Sequence, residues 1–297
     1  MQHTGLSRIA RAAGRISLLL SALFLVAAMA VWVFQERFVF VPPPVPTVQG
    51  RGTTRLNYAA SDGQRLFGFL VEPNASDRMH GAIVVFHGNG DLADSWTDWA
   101  RTASKRTGLP VLLAEYRGYG GLPGRSTYTG VLSDARAAID VMSKRYALRP
   151  DQVTLYGHSL GTGVATSLAA ERGAQTLVLE APMTSLVDEG RRSFGPPLAW
   201  VLPLISRSPF TPIEQVTRIL APVWVAVGGR DEVAPPEMGR AVFAAAARKG
   251  ELLEVATANH GNIADRGGEA YWAWFSRALA SSTTVRATPS TTRAIRP

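Results

Sequence analysis

Ser159 sits between two glycines in Gly157-His158-Ser159-Leu160-Gly161, a frame that presents a hydroxyl for attack on an electrophilic carbon. At neutral pH a serine hydroxyl needs a base to take its proton, and the base needs a partner that fixes its tautomer. Of the five histidines, His3 precedes an apolar run, His80 lies in a polar turn, His87 opens a glycine loop and His158 adjoins the serine within its turn. His260, in Ala258-Asn259-His260-Gly261-Asn262, is the expected general base and then general acid; the alternative is an ordinary loop histidine. Asp231, in Gly229-Arg230-Asp231-Glu232-Val233, is its expected partner, with Glu232 the nearest competitor and Glu180 a topologically allowed one.

Acyl transfer also builds negative charge on a carbonyl oxygen, which calls for two backbone donors. One is expected from the amide of Leu160 and the other from the amide of Asn89, or alternatively Gly88, in His87-Gly88-Asn89-Gly90. A metal site from His87, Asp91 and Asp94 is the alternative use of that loop, and nothing else in the chain supplies its third and fourth ligands. In Glu115-Tyr116-Arg117-Gly118-Tyr119, Arg117 either pairs with an anionic substrate group or holds the loop through a buried carboxylate or backbone carbonyls; we expect the second.

These residues need a scaffold that brings distant loops to one rim. Gln152 to Tyr156 reads as a strand and Thr162 to Arg172 as a helix, so Ser159 falls where one turns sharply into the other. A bend that tight leaves no room for side chains two residues to either side, where Gly157 and Gly161 stand. The bland reading is a glycine-rich strand-to-helix turn that binds a phosphate or nothing.

From Gly81 the chain alternates continuous apolar strands with helices: strands at 82–86, 110–114, 153–156, 176–180, 222–227 and 251–255, and helices at 95–107, 129–146, 162–172, 236–248 and 267–280. Such alternation predicts right-handed crossovers and a mostly parallel sheet with helices on both faces, its chemistry at the carboxyl ends of the strands. Residues 53–72 alternate around Ser61-Asp62-Gly63-Gln64 and predict a leading antiparallel hairpin. Residues 183–219 break the rhythm and predict a small helical cap that gives the site an apolar wall; the alternative is a surface helix pair.

The ends differ from the middle. Ile16 to Phe34 is a 19-residue run without a charge, close to the roughly 30 Å apolar thickness of a bilayer at 1.5 Å per residue. Arg8, Arg11 and Arg15 before it predict a cytoplasmic N-terminus and a domain on the non-cytoplasmic side. The rival is a secretory signal cleaved after Ala28-Met29-Ala30, which would leave a secreted or periplasmic chain. We prefer the uncleaved anchor, because the apolar run continues through Val31-Trp32-Val33-Phe34. Residues 1–48 thus read as anchor plus Pro-rich spacer, 49–281 as one catalytic domain with the cap, and 282–297, rich in Ser, Thr, Pro and Arg, as a disordered tail.

The formal net charge is +8, but three excess arginines lie in the acid-free N-terminal stretch and three in the tail. With no basic, aromatic-laced cluster in the body, nucleic-acid binding is not expected. The absence of cysteine excludes disulfides, thiolate metal sites and cysteine nucleophiles together. Oligomeric state is not legible in the sequence.

Taken together, AIVVFHGNG, EYRGYGG, GHSLG, GGRDEVAPP and NHGN make residues 53–280 resemble the α/β-hydrolase superfamily, whose chain order of nucleophile, acid and histidine is the order Ser159, Asp231, His260. The anchor followed by QERFVFVPP makes the chain similar to its single-pass, membrane-anchored ABHD-type serine hydrolases. That resemblance implies a catalytic triad, hydrolysis of carboxylic esters or thioesters, acyl lipids or acylated proteins, and no cofactor. Gly120-Gly121, where the family loop often has Ser, and Gly261-Asn262, where it often has Asn-Asp, depart from the pattern at the substrate rim. The expected substrate is a small-molecule or lipid ester, the anchor and apolar cap favouring acyl chains. A serine peptidase or amidase, or a non-catalytic membrane-tethered interaction domain, is the alternative.

Overall fold

A computed structural model describes residues 3–44, 49–73, 81–193 and 196–280. The expected disordered tail at 282–297 lies outside the described residues. Nine α-helices are described: α1 (His3–Val39), α2 (Thr97–Thr107), α3 (Tyr128–Arg145), α4 (Leu160–Arg172), α5 (Leu186–Ser193), α6 (Pro196–Ile205), α7 (Pro212–Gln215), α8 (Pro236–Ala245) and α9 (Ile263–Ala280). The strands are β1 (Thr54–Ala59), β2 (Arg65–Val71), β3 (Ala82–Phe86), β4 (Val111–Ala114), β5 (Val153–His158), β6 (Leu177–Glu180), β7 (Val223–Gly228) and β8 (Lys249–Val255).

The strands form one eight-stranded sheet in the order β1-β2-β4-β3-β5-β6-β7-β8. β1 and β2 pair antiparallel, as does β2 with β4, and every other pairing is parallel. The hairpin turns at Gly63, which takes φ 84° while the amide of Ala60 bonds to the carbonyl of Gln64. That left-handed conformation is the reason a glycine stands there. The parallel strands β3 to β7 are buried along their whole length, as continuous apolar runs covered on both faces must be. Helices α2 and α9 pack together over one face and α3, α4 and α8 over the other, with the short α7 against α4 and α8, while α5 and α6 form the cap. The layered architecture expected from the alternation is therefore present.

Apart from the start of α9, the boundaries match expectation or differ from it by one to three residues. β5 runs on to His158 and α4 begins at Leu160, which leaves a single residue for the turn between them. Residues 93–96 form a 3₁₀ turn before α2, and α9 starts at Ile263, four residues early, with a break at Gly268 (φ 50°, ψ −131°). The break falls in the pair Gly267-Gly268, where the sequence predicts the helix to begin; the turn from Ile263 that precedes it lies outside that expectation.

At the N-terminus the structure adds contacts that the sequence reading does not include: α1 continues to Val39, and its last turns dock on the domain. Gln35 donates through Nε2 to the carbonyl of Ile205 and accepts from the amide of Arg207 through Oε1. Glu36 accepts from the amide of Tyr128 at the start of α3, and Phe40 is buried with its ring against Tyr128. The amide of Val41 donates to Asn89 Oδ1 at 2.9 Å. The polar residues that read as flanks of an anchor are thus the groups that fasten it.

Candidate active site

The turn between β5 and α4 leaves Ser159 at φ 51° and ψ −120°, a conformation that a residue with a side chain holds only under strain. Surrounding contacts enforce it. A Cβ on Gly161 would come within 2.0 Å of the Phe86 carbonyl oxygen, and one on Gly157 within 2.4 Å of the Gly161 carbonyl oxygen. The amide of Ser159 is tied to the carbonyl of Glu180 on β6, and the Ser159 carbonyl accepts from both the amide and the hydroxyl of Thr162. Every atom of Ser159 except its hydroxymethyl group is thereby committed to the scaffold.

Two further loops deliver polar groups to that hydroxyl. His260 Nε2 lies 2.9 Å from Ser159 Oγ, and His260 Nδ1 lies 2.8 Å from Asp231 Oδ2. Asp231 follows β7 and is buried, and its other oxygen accepts the amides of Val233 and Ala234 at 2.9 and 2.8 Å. Those amides aim the carboxylate, which in turn keeps the proton on Nδ1 and leaves the Nε2 lone pair facing the serine. The competitors lie elsewhere. Glu180 accepts the Tyr156 hydroxyl at 2.7 Å in a buried network with Tyr271 and Trp99, and Glu232 faces solvent.

Two buried histidines, their pKa values shifted in opposite directions, hold the loops around these groups. His158 Nε2 donates to the carbonyl of His260 at 3.0 Å, holding the loop that carries the imidazole. Burial pushes His158 below its ordinary pKa, which keeps it neutral although Glu180 lies nearby. His87 places Nδ1 against the Gly88 carbonyl and Nε2 against Glu115 Oε1, so both ring nitrogens face acceptors. Burial is the largest single influence on the His87 pKa and pulls it down, but Glu115, the Gly88 carbonyl and Asp91 together outweigh it and the net shift is upward. The two ring contacts fasten the glycine loop from beneath. Asp91 accepts the Trp96 indole and the Leu92 amide, and Asp94 accepts the Gly50 amide, so the three side chains of the metal alternative turn to separate partners.

Asn89 and Leu160 both line the cavity above Ser159. The Leu160 amide opens α4, where a helix leaves its first amides without an internal partner. The Asn89 side chain does something the sequence did not suggest: its Oδ1 accepts the Tyr119 hydroxyl at 2.8 Å as well as the Val41 amide. Arg117 is held by Asp134, with two bonds of 2.9 and 2.6 Å to Oδ1, and by Asp62, so it stabilises its loop as expected.

The cavity has a volume of about 310 Å³. The cap supplies Met183, Leu186, Val187 and Leu202, in keeping with the apolar wall expected of residues 183–219. Two contributions were missed. Glu189 of α5 puts a half-buried carboxyl into the cavity, and burial raises its pKa. Val31, Gln35, Phe38 and Val39 of α1 form another wall. Only the i, i+4 and i+7, i+8 spacing of those four could have signalled a shared face, and an apolar span hides such a signal.

The chain is similar to known proteins. A family model described as "Serine aminopeptidase, S33" matches residues 77–212. An uncharacterized protein of Mycobacterium tuberculosis (strain H37Rv) is 34% identical over 241 residues, which are 78% of this chain and 82% of that protein. The alpha/beta hydrolase domain-containing protein WAV2 of Arabidopsis thaliana is 28% identical over 273 residues, covering 83% and 88%. Among solved structures, a Pyrococcus furiosus esterase superposes with a TM-score of 0.64 at 17% identity, over 81% of this chain and 99% of that one; at that identity the likeness concerns the fold alone.

Proposed function

Because the chain belongs to the α/β-hydrolase superfamily and is one of its serine hydrolases, we propose that it cleaves carboxylic esters or thioesters of apolar acyl groups through an acyl-enzyme on Ser159. In this reading His260 Nε2 takes the serine proton as Oγ bonds to the acyl carbon, and Asp231 stabilises the imidazolium. The amides of Leu160 and Asn89 hold the oxyanion. His260 then returns the proton to the leaving alcohol or thiol, and a water deprotonated by the same imidazole releases the acid and restores the serine. The observation that carries the proposal is the unbroken relay from Asp231 Oδ2 through His260 to Ser159 Oγ, at 2.8 and 2.9 Å, on the floor of a mainly apolar cavity.

A fluorophosphonate probe is expected to label the native chain, and Ser159→Ala to abolish both labelling and p-nitrophenyl ester hydrolysis. Labelling that survives Ser159→Ala overturns the assignment.

A second reading, cleavage of a peptide or amide bond, is favoured by the description of the matching family model and by Glu189, a carboxyl placed where a substrate ammonium could pair with it. An amino-acid p-nitroanilide series distinguishes the two. The finer kinship with membrane-anchored ABHD-type hydrolases rests on the one long apolar helix among the described residues, near the N-terminus, and on relatives that bear that domain name. In this proposal α1 is an uncleaved anchor, residues 49–281 are the catalytic domain on the non-cytoplasmic side, and a cleaved signal is the alternative.

A further inference from the structure

The wall that α1 contributes to the cavity raises the question of where substrate enters. The uncharged run of α1 ends at Phe34, and Gln35 is the first residue beyond it. Val31, within the last turn of that run, lines the same cavity as Ser159, and so does Phe38 two turns further on. From Val31 to Val39 the helix rises only about 12 Å. If the run lies in a bilayer, the mouth of the cavity is therefore at the membrane surface and not held above it.

Two other features lie at the same level. Arg37 stands 5.3 Å from the Phe34 ring and Arg207 stands 5.1 Å from the Trp32 ring, which places cations and aromatics together as at a headgroup boundary. Beside them, α6 turns Leu202 toward the cavity, while Trp200 and Leu204, one turn apart, are 82% and 83% exposed. Gln35 ties α6 to α1 through the Ile205 carbonyl, so these exposed apolar residues stand on a helix fastened to the end of the span.

We propose that α1 and α6 form the two sides of a lateral entrance, through which the acyl chain of a bilayer lipid ester slides from the leaflet to Ser159. On this view the anchor selects substrate as well as location, with Val31, Phe38 and Leu202 setting acyl length and Trp200 and Leu204 seating the entrance in the lipid. The inference rests on the serine-hydrolase reading above.

The test uses the full chain in phosphatidylcholine vesicles and compares hydrolysis of a vesicle-embedded long-chain fluorogenic ester with that of water-soluble p-nitrophenyl acetate. Val31→Trp and Leu202→Trp, which narrow the entrance from opposite sides, are each expected to lower the long-to-short ratio of kcat/KM at least about tenfold. A ratio within twofold of native, with fluorophosphonate labelling retained, overturns the proposal. Phe38→Ala covers the case in which a Trp variant fails to fold: it is expected to shift the preferred acyl length upward, and an unmoved optimum counts against the entrance. The double change Trp200→Glu, Leu204→Glu should slow cleavage from vesicles about tenfold more than cleavage of the same ester in detergent micelles, and equal losses overturn the bilayer as the source. A native chain that takes no label and cleaves neither ester overturns the hydrolase reading itself, a result distinct from the others.

Discussion

Single residues show how much of this site is geometry. Asp231 accepts two backbone amides and one imidazole nitrogen, so its role in the proposed mechanism is to orient as much as to carry charge. Asp231→Asn is expected to lower kcat about 10⁴-fold with little change in thermal stability, because an amide there favours the wrong tautomer of His260. Steady-state kinetics beside a melting curve check this. His158 gives a different prediction. Its pKa is depressed on folding, so the stability of its neutral form is fully present above the ordinary histidine value of about 6.5 and is lost as pH falls toward the folded value. Denaturant unfolding of the native chain between pH 7 and 5 should therefore show a loss that His158→Gln reduces, by at most about 1.4 kcal/mol per pH unit. His87, with its raised value, contributes in the opposite direction: its stabilisation is present below about pH 6.5 and is lost as pH rises through its folded pKa.

At the scale of elements, the strand-to-helix turn was legible because steric exclusion writes itself as glycine. Nothing but hydrogen fits at Gly157 and Gly161, and the pattern follows directly. Gly161→Ala is expected to destabilise the domain by about 3 kcal/mol or more, since the added carbon meets the Phe86 backbone and not a movable side chain. Equilibrium unfolding measures it. The docking of α1 was not legible. Gln35, Glu36 and Phe40 have the composition of any segment that leaves a membrane, and their partners lie up to 172 residues away. Phe40→Ala should cost about 3 kcal/mol and should also weaken turnover, because the Val41 amide that bonds to Asn89 is the next residue along. A variant as stable and active as the native chain would show that the helix end is dispensable.

The whole molecule joins an apolar helix to a layered domain, and the side of the membrane on which the domain sits is a prediction at this scale. In sealed inverted vesicles, whose outer face is cytoplasmic, protease added outside is expected to spare the catalytic domain and to digest it once detergent opens the vesicles; digestion before detergent would reverse the orientation proposed from Arg8, Arg11 and Arg15. By itself the sequence determined the layered class, the positions of the buried strands and the identity of Ser159, Asp231 and His260 as candidates, because burial periodicity, steric exclusion and the short list of groups able to move a proton are all local in the chain. Only the tertiary structure decided that those three side chains meet within hydrogen-bonding distance, that Asn89 braces the loop through its side chain, and that the end of α1 supplies a wall of the cavity. Those are contacts between segments far apart in sequence, and they depend on register, twist and packing angles that no local pattern encodes.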